Sequence, residues 1–251
     1  LSSLELVLPD TPQTLLREHY RCHPKIINFC NQQFYGGKLL IMTEDKGEEN
    51  VLEAIKTVPG DFCKGHYNQR QIDVIKHDIL PRYTKEEIED LGIIAPYNNQ
   101  TDAIRNQIPG IDAATVHKYQ GREKDNIIIS TVDNEITSFT DDSNMLNVAI
   151  SRAKKKLAIV ISGNKQPENS NIMSLLKYIE YNSGSIEESK VSSVFDFFYT
   201  KNTEAKFMYL EDTKLISKYP SENAMNSLLT KITQESCYSK FGVVFEMPLK
   251  D

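Results

Sequence analysis

The sequence predicts an α/β fold built on a parallel sheet, and three observations carry that reading. Ile127, Ile128, Ile129, Thr131 and Val132 form a short β-branched run of the kind that is buried on both faces of a parallel sheet. Leu146, Ala149, Ile150 and Ala153 then recur at helical spacing, behind Asp142 or Ser143 placed to cap the start. A second apolar run, Leu157 to Ile161, follows. Strand, helix, strand is the βαβ unit of a doubly wound sheet.

The other elements read from the amino end as follows. Leu15 and Leu16 precede a polar stretch, and Pro24 stands where a helix begins. Ile27, Cys30 and Phe34 share one face of a helix over Pro24 to Tyr35, which Gly36 and Gly37 close. Glu44 to Asn50 is an acidic loop by composition. Val51 to Val58 suits a strand ended by Pro59-Gly60. Asn68 to Arg82 suits a helix with Ile72, Ile75 and Ile79 on one face, and Glu86, Glu87, Glu89 and Asp90 suit plain solvated surface. Leu91 to Ala95 reads as a strand stopped by Pro96, and Asn98 or Asn99 can cap the helix that carries Ala103 and Ile104. A further short strand ends near Ala114.

Bulk properties bound the function. A chain of 251 residues with 39% hydrophobic and 25% charged content is an ordinary soluble globular protein with room for one good core and a smaller second unit. No apolar run has the length of a membrane span and no signal peptide opens the chain, so a cytoplasmic protein is expected. The first residue is Leu, which reads as a fragment of something longer. Cys22, Cys30, Cys63 and Cys237 lack disulfide-framework spacing and suit a reducing compartment. Cys63 and His66 make a C-x-x-H pair and Cys22-His23 lies upstream, but a structural zinc takes four ligands in recognisable pairs, so no metal site is read. The net charge of −6 counts against a strongly basic nucleic-acid binder, and it is spread evenly: 20 basic and 23 acidic groups up to residue 165, 9 and 12 after it. A protein that tracks one strand needs only a local groove of donors, with stacking sharing the work.

Four blocks carry a more specific signal. Leu16 to Leu39 reads LREHYRCHPKIINFCNQQFYGGKL, Leu91 to Gln100 reads LGIIAPYNNQ, Ala114 to Val132 reads ATVHKYQGREKDNIIISTV, and Asn144 to Ser162 reads NMLNVAISRAKKKLAIVIS. In that order they resemble motif IV with its YRxHP signature, the block between motifs IV and V, motif V, and motif VI of the superfamily 1 helicases. The resemblance is strongest to the branch that includes the nonsense-mediated-decay helicase and its bacterial relatives. Four ordered blocks are far more specific than a lone GxGxxG.

The resemblance implies the second of two RecA-like domains, with ATP in the cleft between them. It gives Tyr20 the adenine ring, Arg21 and Arg152 the γ-phosphate as arginine fingers, and Glu123 a ribose hydroxyl, with Gln120 and Gly121 on the same nucleotide-binding turn. It places Pro96, Tyr97, Asn98, Thr115 and His117 along a single strand of DNA or RNA, with Tyr97 as a stacking surface. Asn98 stands where many relatives have Arg or Lys, and His117 where many have Asp. No GxxxxGK[ST] loop and no acidic pair for Mg²⁺ occur, so the ATP and Mg²⁺ ligands of the first domain are expected outside this chain, and the fragment alone is expected to be inactive. Read without the resemblance, Tyr20 and Arg21 are an aromatic and a cation at a helix entrance. Arg122, Glu123, Lys124 and Asp125 are turn charges, and Arg152, Lys154, Lys155 and Lys156 complement a helix carboxyl end. The three lysines keep that plainer reading.

The domains expected are 1–165, RecA-like, and 166–251, a small and mostly helical extension. In the extension Ile172 to Ile179 reads as a helix, 182–189 as a linker, Val191 to Tyr199 as buried, Ser221 to Thr233 as a helix and Phe241 to Met247 as a strand. SENAMNSLL leading to VVFEMPLKD is loosely similar to the opening of restriction-endonuclease-like nuclease domains, with Glu222 as a first-turn charge. The function read is the carboxyl-terminal motor domain of an ATP-dependent helicase. The alternatives are a non-catalytic binding or regulatory module on the same fold, or part of a nuclease-linked defence or repair protein.

Overall fold

The computed structural model describes residues 16–182 and 184–191. Strand β1 (Glu18–His19) runs parallel to β2 (Leu40–Ile41), and helix α1 (Pro24–Phe34) lies between them in the chain. His23 caps α1, its Nδ1 accepting from the Lys25 amide at 3.1 Å, and Pro24 fills the first turn, where a missing donor costs nothing. Beyond Tyr35 the chain turns away through Gly36 and Gly37, both left-handed, and the Gly37 amide returns to the Asn31 carbonyl at 2.8 Å.

Strand β3 (Leu52–Lys56) is followed by a hairpin of β4 (Cys63–Lys64) and β5 (Tyr67–Asn68). Gly65 at φ 58° and His66 at φ 62° make its two-residue turn, the left-handed pair that matches strand twist. The helix expected from Asn68 to Arg82 is α-helical only as α2 (Gln69–Val74). It continues as a π turn over Ile75–Ile79 and a 3₁₀ turn over Leu80–Arg82 that contains Pro81, which has no amide for an α ladder. The acidic run read as plain surface forms a short helix, α3 (Lys85–Glu89), because Thr84 and Glu87 make a reciprocal capping box.

The remaining elements are β6 (Leu91–Ala95), α4 (Asn98–Gln107), β7 (Asp112–Thr115), β8 (Lys124–Ser130), α5 (Ser143–Ile150), β9 (Ala153–Ile161), α6 (Asn171–Tyr181) and β10 (Ser185–Glu188). Asp142 caps α5, accepting from the Met145 amide at 2.8 Å, whereas α4 starts from Tyr97 with no side-chain cap from either asparagine. The sheet order is β10-β3-β9-β8-β6-β7 and every neighbouring pair is parallel. This is the RecA-like α/β sheet flanked by helices. Alternation along β8 divides the core: Ile127 and Ile129 join the side chains of α1, α5 and α6 on one face, and Ile128 joins those of α2 and α4 on the other.

The sheet runs on past residue 165. The stretch 182–189 is not a linker: β10 pairs with β3, Ser185 opposite Glu53. Gly184 permits the close entry, since a Cβ there would meet the Leu52 carbonyl at 2.7 Å. The expectations for 192–199, Ser221 to Thr233 and Phe241 to Met247, with Glu222 and Cys237, lie outside the described residues. No helix among the described residues is long and apolar enough to cross a membrane.

One packing contact positions the site. Tyr119 is fully buried against Gly92 of β6, where a side chain would collide with the phenol. The Tyr119 hydroxyl donates to Asp112 at 3.1 Å, and the Arg122 guanidinium lies 4.8 Å above the ring. Those contacts anchor the turn carrying Gly121 and Glu123. Gly92→Ala is expected to displace Tyr119 and lower the unfolding free energy by about 1–3 kcal/mol, read from the urea midpoint. An unaltered midpoint would mean that the ring has another place to go.

Candidate functional site

Three segments distant in sequence meet at the amino ends of β8 and β9. The first is the entrance to α1, with Tyr20 and Arg21. The second is the turn before β8, with Gln120, Gly121 and Glu123. The third is the turn between α5 and β9, with Arg152. Main-chain bonds stitch them together. The His23 amide donates to the Lys154 carbonyl at 2.7 Å, and the Lys124 amide to the Arg152 carbonyl at 3.1 Å. Side chains add to this: the Cys22 thiol donates to the Ser151 carbonyl at 3.3 Å, and Arg152 Nη1 to the Arg122 carbonyl at 3.3 Å.

Within that frame Arg21 Nη1 lies 3.3 Å from Glu123 Oε2. Arg152 feels both neighbours. Burial, and then the Arg21 charge, hold its pKa below the ordinary arginine value, though an arginine so shifted stays protonated. Arg21 is thus the guanidinium paired with Glu123, and Arg152 stands close enough to feel the Arg21 charge. Arg21 Nε and Asn147 Oδ1 are buried without a hydrogen-bond partner among the described residues, on the two segments that bear the arginines. Buried polar atoms are seldom left so, and an arginine fork with a free donor suits an anionic oxygen. The Tyr20 ring is 64% exposed, its hydroxyl bonded to Glu18 at 2.6 Å. A flat ring, two cations and a permissive Gly121 at φ 82° are parts that fit a nucleoside triphosphate.

His19, absent from the sequence reading, aims this entrance. Its Nε2 accepts from the Cys22 amide at 3.0 Å, and burial followed by the Arg21 charge pushes its pKa down. Burial also pushes the Cys22 thiol up.

The second group lies at the opposite ends of the strands. Pro96, Tyr97 and Asn98 follow β6, and Thr115 ends β7 beside Ala95. Asn98 Oδ1 accepts from Lys118 Nζ at 3.1 Å, so a cation stands here although position 98 does not provide it. Thr115 is buried, 7% exposed, while His117 is exposed. Tyr97 stacks on His66 at 4.1 Å and on Phe139 at 5.4 Å, and its hydroxyl donates to Asp133 at 2.9 Å. His66 was read only as half of a C-x-x-H pair, and Phe139, Asp133 and Lys118 were not singled out, because no spacing links a hairpin turn to a loop about seventy residues away. Neither cysteine of the C-x-x-H and Cys-His reading faces a zinc-like set: Cys63 Sγ is 3.8 Å from Asp133, and Cys22 is bonded to a carbonyl. His23, Asp45 and Glu48 are the one group among the described residues with metal-ligand spacing. There the His23 Nδ1 accepts from the Lys25 amide, which leaves Nε2 to carry the proton toward the two acids.

The family described as "AAA domain" matches residues 2–166. The Arabidopsis thaliana "DNA replication ATP-dependent helicase/nuclease JHS1" is 38% identical over 207 residues, covering 68% of this chain and 16% of that protein. The Gallus gallus "DNA replication ATP-dependent helicase/nuclease DNA2" is 30% identical over 172 residues, 58% of this chain and 16% of that protein. The chain therefore spans about a sixth of the length of either relative. A solved carboxyl-terminal domain of a possible DNA helicase from a Lactobacillus aligns over 66% of this chain and 98% of its own, at 16% identity and a TM-score of 0.45.

Two outcomes follow from the geometry. Glu123→Gln is expected to cost less than about 1 kcal/mol in urea unfolding, since an exposed pair contributes little. A larger loss would make the pair a structural strut. The His19 pKa is lowered in the folded state from 6.5. Below about 6.5 the unfolded chain binds the proton first, so stability falls as pH drops through that window and is fully present above it. His19→Gln, whose amide oxygen still accepts, is expected to flatten this slope in urea midpoints taken from pH 7 to 5.

Proposed function

The chain belongs to the AAA-domain family and is a superfamily 1 helicase domain, and from that premise we propose that it is the second RecA-like motor domain of an ATP-dependent helicase. In this reading Arg21 and Arg152 reach the γ-phosphate of ATP held, with its Mg²⁺, by a preceding domain of the same protein. Tyr20 lies on the adenine, and Glu123 accepts from the ribose beside Gln120 and Gly121. Pro96, Tyr97, Asn98, Thr115 and His117 line the path of one strand of DNA or RNA.

The observation that carries the reading is that main-chain bonds bring the segments of Arg21, Glu123 and Arg152 together, with Arg21 paired to Glu123. Phosphoryl transfer needs charge on the γ-phosphoryl oxygens to be neutralised by groups already in place. An arginine offers a fixed, always charged fork for that purpose. At rest Arg21 is parked on Glu123. A phosphate oxygen entering between the arginines replaces that carboxylate and gives the unpartnered Arg21 Nε an acceptor. Both relatives quoted above carry ATP-dependent helicase in their names, which supports the ATP part.

We set the end of the motor domain after β10 rather than at residue 165, because β10 is hydrogen-bonded into the same sheet. A cytoplasmic, reducing setting belongs to this reading, and among the described residues Cys22, Cys30 and Cys63 form no disulfide with one another. The second reading, a nuclease-linked protein, draws on the same two names, which join helicase to nuclease.

The purified chain is expected to show no ATP turnover, and turnover that Arg152→Ala abolished would overturn the division of labour. In a longer protein that supplies the phosphate loop, Arg152→Ala is expected to slow turnover by about 10³–10⁵-fold. Arg152→Lys should fail to restore it, since an ammonium lacks the fork.

A further inference from the structure

We propose that His66, Tyr97 and Phe139 form a platform on which bases of single-stranded nucleic acid stack, with Asp133 as the residue that positions Tyr97 in it. This rests on the strand-gripping part of the reading above and extends it from the backbone of the strand to its bases.

The rings are arranged unlike those of the core. Tyr97 lies at 28° to His66 and at 28° to Phe139, a nearly parallel ladder of three rings. The aromatic pairs inside the molecule meet edge-on or tilted, Phe29 with Phe34 at 90° and with Tyr178 at 59°. Edge-on meeting suits packing, whereas a flat stack leaves its outer faces open for another flat ring. Both rings beside Tyr97 belong to exposed residues, Phe139 at 46% and His66.

Three separate segments hold the ladder. His66 is presented by the left-handed turn of the β4–β5 hairpin, and the Gly65 carbonyl there accepts from Asn99 at 2.8 Å. Asn134 Oδ1 accepts from the Phe62 and Cys63 amides at 3.0 and 2.9 Å, which ties the hairpin to the loop carrying Phe139. Tyr97 is fixed through its hydroxyl to Asp133, and Thr137 donates to the same carboxylate oxygen at 3.3 Å.

Asp133 itself is aimed by a strained turn. Val132 has φ 69°, a region that a β-branched residue avoids, and the Asp133 amide closes onto the Thr131 carbonyl at 2.8 Å. Asn68 Nδ2 donates to the Val132 carbonyl at 2.7 Å, and the Val132 amide donates to Gln71 at 2.9 Å. Strain held in place by buried polar side chains clusters where a group must point in one direction.

The geometry favours bases over phosphates as the occupant. The ladder presents faces and no guanidinium, and Asp133, bonded to the Tyr97 hydroxyl, repels phosphate. Lys118, held on Asn98, supplies a cation for the backbone running alongside. Stacking of this kind tolerates any base, and it requires a strand whose bases are not already paired.

The test is fluorescence anisotropy of the chain with a labelled oligothymidine and with an abasic strand of equal length. Wild type is expected to bind oligothymidine more tightly, and Phe139→Ala to weaken that binding by about 5- to 100-fold while leaving the abasic strand unchanged. Phe139→Tyr should restore it. Asp133→Ala should lose the same base-dependent part only, a split that general unfolding would not produce. Equal binding of both strands by wild type, or an equal loss on both in Phe139→Ala, overturns the platform and leaves the strand path standing. No binding of either strand by wild type overturns both.

Discussion

The hydrogen bond from the His23 amide to the Lys154 carbonyl, 2.7 Å long, joins two parts of the chain on which the rim bearing Arg21 and Arg152 depends. It fastens the entrance of α1 to the first residues of β9, a central strand with neighbours on both sides. Arg21 stands two residues before the donor and Arg152 two residues before the acceptor. Neither arginine needs a rigid side chain of its own, because each begins from backbone that the sheet has fixed. The Lys124 amide, bonded to the Arg152 carbonyl at 3.1 Å, brings in Glu123 in the same way. Two like charges near one another repel, and that repulsion comes second to burial in lowering the pKa of Arg152. The fold supports that repulsion through main-chain bonds whose strength does not depend on the charges.

The carboxyl ends of the strands follow a different logic. A buried polar network does there what main-chain ladders do at the amino ends. Gln100 Nε2 donates to Ser130 Oγ at 3.1 Å, Ser130 Oγ to Gln71 Oε1 at 2.8 Å, and Gln71 Nε2 to Thr131 Oγ1 at 3.2 Å. Gln71, Gln100 and Ser130 are fully buried. Such a network is costly when half satisfied and rigid when complete. Here it joins α2, α4 and β8, and its last link holds Val132 in the backbone that turns Asp133 toward Tyr97.

Much of this was legible in the residues. The β-branched run of β8, the helix behind Asp142 and the strand after it follow from periodicity and capping alone. The pairing of Arg21 with Arg152 was readable only through the motif order. Nothing local in HYRCHP or AISRAK says that the two will meet, because the bonds between them are main-chain bonds to any residue type. Where the reading missed, the signal was weak or contradictory. The capping box Thr84-x-x-Glu87 was hidden in a charge run, and the strand Ser185–Glu188, half acidic at a sheet edge, reads as linker by composition. Phe139 and Asp133 were illegible for another reason, and His66 was legible only as part of a C-x-x-H pair: only the pinning of hairpin to loop by Asn134 makes the three neighbours.

The two ends are parts of one body. Strand β8 begins beside Glu123 and ends two residues short of Val132, seven residues or about 23 Å of extended chain. From Asn126 to Ser130 it is buried, and it is hydrogen-bonded to β6 on one side and β9 on the other. A strand so enclosed has no slack to take up, since close-packed interiors move as units rather than stretch. A displacement imposed at Arg21 and Arg152 therefore reaches Tyr97 as a movement of the whole sheet. In the reading proposed above, where one rim takes a nucleotide and the other a strand, that stiffness is the mechanical requirement: chemistry at one end becomes travel at the other only if nothing between them yields.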